Sequence, residues 1–214
     1  MNQSYESKLE KGRILVYGVI SNAVIVQQIG SIYTPERLEE GQRLYLATKD
    51  AFRHQNNKKI ESTLAYGKFS KAQNVLYAQM VKIRKTARYF FKNDYLAQSL
   101  LQLNNSIPNR YADRIAFSKQ TINAVATHEN IQARLTVGGV TPHMIADTMT
   151  LLDDIDSLKL ETEKKDGEAQ MATVTKNKHF KAFMTYCSDL RACLNLFFEG
   201  HARHELEKVG ITVK

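Results

Sequence analysis

Apolar residues recur every three or four positions along most of this chain, which predicts amphipathic helices. The chain has only ten Gly and three Pro in 214 residues, and this composition argues against a loop-rich or all-β fold. The clearest stripes imply long helices packed at a shallow angle, with Phe90 and Phe197 as core residues of equal rank. These stripes consist of Ala65, Phe69, Ala72, Leu76, Ile83 and Phe90, and of Ala172, His179, Phe183, Tyr186, Leu190, Cys193 and Phe197.

The sequence resembles itself at an offset of 107 residues. This offset places Thr34-Pro35 on Thr141-Pro142 and Phe90-Phe91 on Phe197-Phe198. The matches fall mostly at apolar positions and at helix starts, as in repeat architectures. We therefore expect two tandem helical copies, residues 1–106 and 107–214, which either form two domains or pack as one.

Each copy is predicted to contain three helices. The first helices span about residues 4–29 and 108–135, with Ile14 and Val24 in the core of the earlier one. Thr-Pro opens the second helices, because Thr caps free N–H groups and Pro suits the first helical position. We expect breaks near residues 56–57 and 165–167, before the third helices. The predicted fold is all-α, an antiparallel long-helix bundle built from two tandem three-helix repeats, with short segments after Tyr95 and after His201.

The motif from Gly30 to Gly41, which reads Gly-Ser-Ile-Tyr-Thr-Pro-Glu-Arg-Leu-Glu-Glu-Gly, is followed by long helices and a second Thr-Pro copy. This layout resembles a group of uncharacterised bacterial proteins that are duplicated long-helix bundles. The resemblance covers the whole chain and implies a helical fold and a bacterial cytosolic origin. It implies no activity and no functional residues.

Charge differs between the two halves of the sequence. Residues 1–107 contain 16 Lys and Arg against eight Asp and Glu, whereas residues 108–214 contain 14 of each kind. The net charge of +8 therefore belongs to the first half, where ten basic residues and one acid lie between Arg53 and Lys92. The opposite pole, between Asp147 and Glu168, holds eight acids and three lysines.

The basic segment is open to two interpretations. It is either a solvated helix face, which is the default for an amphipathic helix, or a surface that binds nucleic acid or another polyanion. We favour the first, because the sequence carries no nucleic-acid-binding signature. The candidate anion-binding residues are Lys82, Arg84, Lys85, Arg88 and Lys92.

Metal and catalytic motifs were sought with little result. No Glu-x-x-His, Cys-x-x-Cys or glycine-rich phosphate loop is present in the sequence. His201, His204 and Glu205 have spacings of three and four, so they form a weak candidate for a transition-metal site. The acidic cluster Asp153-Asp154-Ile155-Asp156 is a less favoured magnesium candidate. We expect no cofactor and no catalytic residues.

The sequence favours a non-catalytic structural or protein-interaction bundle, whose partner is a second copy or another protein. Nucleic-acid or polyanion binding through the first repeat is the alternative, and an enzyme with a site between the copies ranks third. Cys187 and Cys193 are too far apart on a helix for a disulfide, which favours the cytoplasm. No stretch is long and apolar enough to span a bilayer.

Overall fold

The computed structural model describes residues 4–212, apart from the side chain of His201. Within this range the chain is helical and contains no β-strand, as the all-α prediction required. The helices are α1 (Tyr5–Ser21), α2 (Ala23–Ile29), α3 (Pro35–Phe90), α4 (Tyr95–Leu100), α5 (Tyr111–Thr127), α6 (Glu129–Val137), α7 (Pro142–Phe197) and a final 3₁₀ helix (Gly200–Val209).

The chain forms two compact units, and each draws on both halves of the sequence. Unit 1 comprises Met1–Ile60 and Gly167–Lys214, and unit 2 comprises Glu61–Asp166. Each unit therefore takes one part of α3 and one part of α7. Unit 1 carries 16 Lys and Arg against 11 Asp and Glu, and unit 2 carries 14 against 11. The strong charge contrast between the sequence halves is thus nearly absent between the compact units.

In unit 1, the segments of α3 and α7 run antiparallel. Tyr186 donates a hydrogen bond to the carbonyl of Arg37 over 2.9 Å, and the Thr48 hydroxyl donates to the carbonyl of His179 over 3.1 Å. Contacts further along α3 thus fall earlier on α7. The helices α1 and α2 and the 3₁₀ helix complete the core, which includes Leu15, Val16, Val19, Ile25, Ile29, Tyr33, Phe183, Leu190, Leu194 and Leu206.

Unit 2 has the same antiparallel pairing of α3 with α7. Lys165 contacts Glu61 over 2.8 Å, and the Thr148 hydroxyl donates to the side chain of Gln79 over 3.1 Å. The helices α5 and α6 and the α4 region pack on this pair. The buried cluster includes Leu76, Met80, Ile83, Phe91, Leu101, Ile115, Ile122, Val125, Leu135, Ile145 and Ile155.

The helix boundaries differ from the expectation in two respects. The Thr-Pro starts are confirmed, but α3 and α7 are each one continuous helix of 56 residues. The breaks expected at 56–57 and 165–167 are therefore wrong. The first helix of each half is broken instead, at Asn22 and at His128. At Asn22 the side-chain oxygen accepts from the N–H groups of Val24 and Ile25, so it starts a new helix rather than continuing the old one.

The buried stripe also has a different register. Phe91 and Phe198 are buried, whereas Phe90 and Phe197 are only partly buried, so the ranking of Phe90 and Phe197 as core residues is wrong. Ile14 and Val24, also expected inside, are exposed. On α3 the buried positions step by four, four and three and return after 11 residues, and α7 repeats this spacing. A seven-residue step lags behind a straight helix by about 20°, so extrapolation by sevens selects the wrong residue at the helix end.

None of the helices within residues 4–212 is by itself long and apolar enough to cross a bilayer. By length and composition alone α1 and α2 would suffice together, but they are bent by 88° at the break between them. Several of their apolar side chains, among them Leu15, Val19 and Ile25, lie in the core of unit 1.

Candidate anion-binding groove

An open groove of about 550 Å³ lies on unit 2, between α3 and the segment that follows α4. Residues from four successive turns of α3 form one wall, and Ser106 and Ile107 form the other. The groove is therefore basic on one side and partly apolar throughout. Its lining consists of Tyr77, Val81, Arg84, Lys85, Arg88, Ser106 and Ile107.

Arg84 holds the two walls together. Its side chain is 3% exposed, and its guanidinium donates to the carbonyls of Gln102 over 2.9 Å and Leu103 over 3.4 Å, and to that of Asn105. The same group lies 4.9 Å from the centroid of the Phe117 ring. Arg84 was expected on an exposed basic face. It lies in the interior instead, because its planar fork can satisfy several carbonyls at once.

The segment that Arg84 holds has unusual backbone geometry. Gln102 has a φ of 51°, the one positive φ outside glycine among the described residues. Such a conformation persists only where neighbouring contacts enforce it. Here Arg84 binds the Gln102 carbonyl, and the N–H of Leu103 donates to the carbonyl of Gln98 over 2.9 Å. The wall formed by Ser106 and Ile107 is therefore fixed in place by α3.

Arg88 adds a second positive charge beside Arg84. It donates to the carbonyl of Leu103 over 3.0 Å, and much of its side chain is exposed. Burial, followed by the charge of Arg88, lowers the pKa of Arg84 below its ordinary value. Within residues 4–212, neither guanidinium has a carboxylate within salt-bridge distance. The groove thus contains two adjacent cations whose charge is not balanced by a protein anion.

The three lysines of the candidate set are all exposed. Lys85 lines the groove, whereas Lys82 and Lys92 do not. None of the three forms a salt bridge with another described residue. The structure therefore divides the five residues by role: Arg84 and Arg88 shape the groove, and Lys85 presents a free ammonium to it.

The acidic stretch of the sequence lies in the same unit but does not neutralise these cations. Asp156 binds Lys119 over 3.1 Å and accepts from the Tyr111 hydroxyl over 2.9 Å. These contacts lower the pKa of Asp156, while burial and Asp156 raise the pKa of Tyr111 to about 12. Asp147 pairs with His143, and Glu163 with Lys159. This part of the chain satisfies its carboxylates locally.

The proposed metal ligands are not brought together. Glu205 binds Lys208 over 2.7 Å, and the ring of His204 lies 3.7 Å from Glu207 rather than from Glu205. The side chain of His201 lies outside the described part of the structure. Among the side chains described, there is no group of three His, Cys, Asp or Glu residues that could hold a metal ion. That search also covers the acidic cluster at 153–156.

The two cysteines are buried in unit 1 and unpaired. Burial raises the pKa of the Cys187 thiol to about 11 and raises that of Cys193 as well. A thiolate is the reactive form of cysteine, so these thiols are core residues and not candidate nucleophiles.

Sequence reasoning found the cations of the groove but missed its other wall. Ser106 and Ile107 lie about 20 residues beyond the basic segment and carry no charge. One signal was available: Arg84 directly follows the buried Ile83 in the helical stripe, where an arginine needs interior partners. No protein-family model, curated protein or solved structure matches this chain.

Proposed function

We propose that this protein is a non-catalytic interaction module that binds an acidic segment of a partner protein in the groove of unit 2. The observation that carries the proposal is the uncompensated charge of Arg84 and Arg88. A buried cation without an anionic partner is costly, and an incoming carboxylate offsets that cost. Lys85 supplies a further ammonium at the same place.

The lining of the groove favours an acidic peptide over a nucleic acid. Tyr77, Val81 and Ile107 offer apolar contact between the charged groups, and the side chains of Tyr77 and Val81 are exposed. A peptide that combines carboxylates with an apolar anchor matches both features. Single-stranded nucleic acid needs a longer basic track with several stacking aromatic rings. Tyr77 is the one aromatic residue that lines this groove.

The groove also supports the non-catalytic part of the proposal. Its described lining contains arginine, lysine, serine, tyrosine and aliphatic side chains, without a carboxylate, thiol or imidazole. General acid–base catalysis near neutral pH usually relies on one of those three groups.

Three fluorescent probes test the proposal by anisotropy at low and moderate salt. They are a glutamate-rich peptide with a leucine at every fourth position, a polyglutamate of equal charge, and a single-stranded oligonucleotide of similar charge. We expect the leucine-containing peptide to bind most tightly, and its affinity to fall with salt. Replacing Lys85 and Tyr77 together by alanine should weaken this binding by about tenfold.

The matched control is the pair Lys71→Ala and Tyr66→Ala, because both residues are exposed on α3 in unit 2 and neither lines the groove. This control should bind as the parent protein does. Equal weakening by both pairs, or no binding of any probe, would overturn the proposal. Tighter binding of the oligonucleotide, lost with Lys85 and Tyr77, would replace it by the nucleic-acid alternative.

The proposal includes two finer points. We infer that the halves of the sequence are duplicated copies, since α3 and α7 have equal lengths, begin at Pro35 and Pro142, and repeat one buried spacing. We keep the cytoplasm as the location, because Cys187 and Cys193 are free thiols.

A further inference from the structure

The four most exposed large apolar side chains of the described chain all belong to unit 2. Tyr95 is 85% exposed, Val137 81%, Tyr89 80% and Leu96 72%. Exposed apolar side chains scattered singly need no explanation, but a group at one place does.

These four residues share one end of unit 2. Tyr89 lies in the last turn of α3, and Tyr95 and Leu96 begin α4 after a turn of four residues. Val137 ends α6, and the end of α6 packs on the end of α3. Arg134 donates to the carbonyl of Phe90 over 3.5 Å, and its guanidinium lies 5.6 Å from the centroid of the Phe91 ring.

The packing at this end is close enough to fix the two helices together. Gly138, which follows Val137, leaves no room for a Cβ atom against the side chains of Thr86 and Phe90. We call the surface formed by Tyr89, Tyr95, Leu96 and Val137 the apolar tip.

The apolar tip is surrounded by positive charge. Arg88, Lys92 and Arg134 are all exposed and lie on the same helix ends and turn. The one acid between Arg88 and Leu96 is Asp94, and its carboxylate caps α4 by accepting from the N–H of Ala97 over 3.0 Å. The tip therefore combines protruding apolar side chains with a cationic border.

We propose that the apolar tip docks on an anionic lipid surface. Side chains exposed to this extent protrude from the protein, so a rigid partner would need a deep pocket for each of them. The interfacial layer of a bilayer accommodates such side chains individually, and tyrosine is favoured there because its ring is apolar and its hydroxyl is polar. The cationic border is attracted to acidic headgroups, and apolar insertion together with charge gives firmer attachment than either alone.

A tryptophan reporter tests this surface directly, since the chain contains no tryptophan. In Tyr95→Trp, the new indole should show a blue shift in emission when vesicles of phosphatidylcholine and phosphatidylserine, in a ratio of about three to one, are added. Vesicles of phosphatidylcholine alone should produce a much smaller shift at the same lipid concentration. The control is Tyr66→Trp, an exposed position on α3 outside the tip, which should show no shift.

Vesicle co-sedimentation provides a second measurement. The triple variant Tyr89→Ser, Tyr95→Ser and Leu96→Ser should lose affinity for the mixed vesicles by at least about tenfold. A matched triple, Leu64→Ser, Tyr66→Ser and Leu160→Ser, removes residues of similar kind and exposure from elsewhere in unit 2 and should retain binding. Circular dichroism of both variants shows that the helices persist.

Several results would overturn the assignment. They are an absence of binding to mixed vesicles, equal binding to both lipid compositions, and equal loss in the two triple variants. Concentration-dependent dimerisation abolished by the tip variant would also overturn it, since it would show that the tip binds a second copy. The lipid measurements do not depend on the peptide groove, because Tyr77 and Lys85 remain unchanged in every tip variant.

Discussion

Lys58 on α3 forms an ion pair with Glu168 on α7, in which the Lys58 ammonium nitrogen lies 2.9 Å from a carboxylate oxygen of Glu168. The offset of 107 residues maps Lys58 onto Lys165, and Glu61 onto Glu168. Lys165 and Glu61 form the corresponding pair, over 2.8 Å. The first pair belongs to unit 1 and the second to unit 2. The same two residue types thus join the same two helices in both units, with the donor and acceptor helices exchanged, which supports the proposed duplication.

Charge reversal tests the Lys58–Glu168 pair. Lys58→Glu should reduce the free energy of unfolding by about 1 kcal/mol, since two carboxylates then face each other at a partly buried position. Adding Glu168→Lys should recover most of that loss. Denaturant titration of the two single variants and the double variant measures the coupling. Strictly additive losses would show that this contact contributes nothing to stability.

The buried stripe predicts a difference between adjacent phenylalanines. Phe91→Ala should reduce the free energy of unfolding by about 3–5 kcal/mol, because it removes a fully buried ring. Phe90→Ala should cost clearly less, since Phe90 is only partly buried. The same order is expected for Phe198 against Phe197. Denaturant titration of the four variants tests the order, and equal losses within either pair would contradict the observed register.

This register shows how far the sequence leads and where it stops. Helical periodicity and the Thr-Pro motifs predicted the all-α class and the starts of α3 and α7, because both signals are local. They could not show that Asn22 interrupts a helix while Asn57 does not. Both residues have the same propensities, and the outcome depends on tertiary packing around them.

The groove shows the same limit. Its cations stand together in the sequence, so charge patterning found them. Whether Arg84 points to solvent or to the interior depends on the path of residues 101–107, which local spacing does not encode. The assembly of each unit from both halves of the chain is likewise a property of long-range contacts, to which periodicity within one helix is blind.

Arg84 should be necessary for the order of the groove. Arg84→Met keeps an apolar stem but leaves the carbonyls of Gln102, Leu103 and Asn105 without these donors, so it should cost about 2–4 kcal/mol of stability. Hydrogen exchange should accelerate most in residues 101–106. Arg88→Met is the control, because it removes one charge from the same groove but a single printed contact, to Leu103. Uniform protection across both variants would refute the clamp.

The buried thiol of Cys187 should make stability sensitive to alkaline pH. Its pKa rises in the folded state from an ordinary value near 9 to about 11 because burial penalises the thiolate. The contribution is complete below the unfolded pKa, and it decreases as pH rises through the interval from about 9 to 11, because the unfolded thiol ionises first. Denaturant titration between pH 8 and 10 measures this decrease. Cys187→Ala should show a shallower decrease, and an identical slope would exclude Cys187 as a cause.

A final prediction concerns two contacts related by the same offset. Gly41 packs against Tyr186 in unit 1, and the offset maps Gly41 onto Thr148 and Gln79 onto Tyr186. In unit 2, Thr148 and Gln79 form a hydrogen bond over 3.1 Å. One unit therefore fills this position with a large ring beside a glycine, and the other with two polar side chains of intermediate size.

The Tyr186 ring has no room to move, since its hydroxyl donates to the Arg37 carbonyl and its edge packs on Tyr33. A Cβ atom on Gly41 would lie 2.5 Å from this ring, so Gly41→Thr should cost about 1–3 kcal/mol through overpacking. Combining Gly41→Thr with Tyr186→Gln transplants the pair from unit 2. The double variant should be more stable than the sum of the two single losses predicts, by at least about 0.5 kcal/mol. Thermal and denaturant unfolding of the three variants measures this coupling, and additive losses would show that the two contacts are not interchangeable.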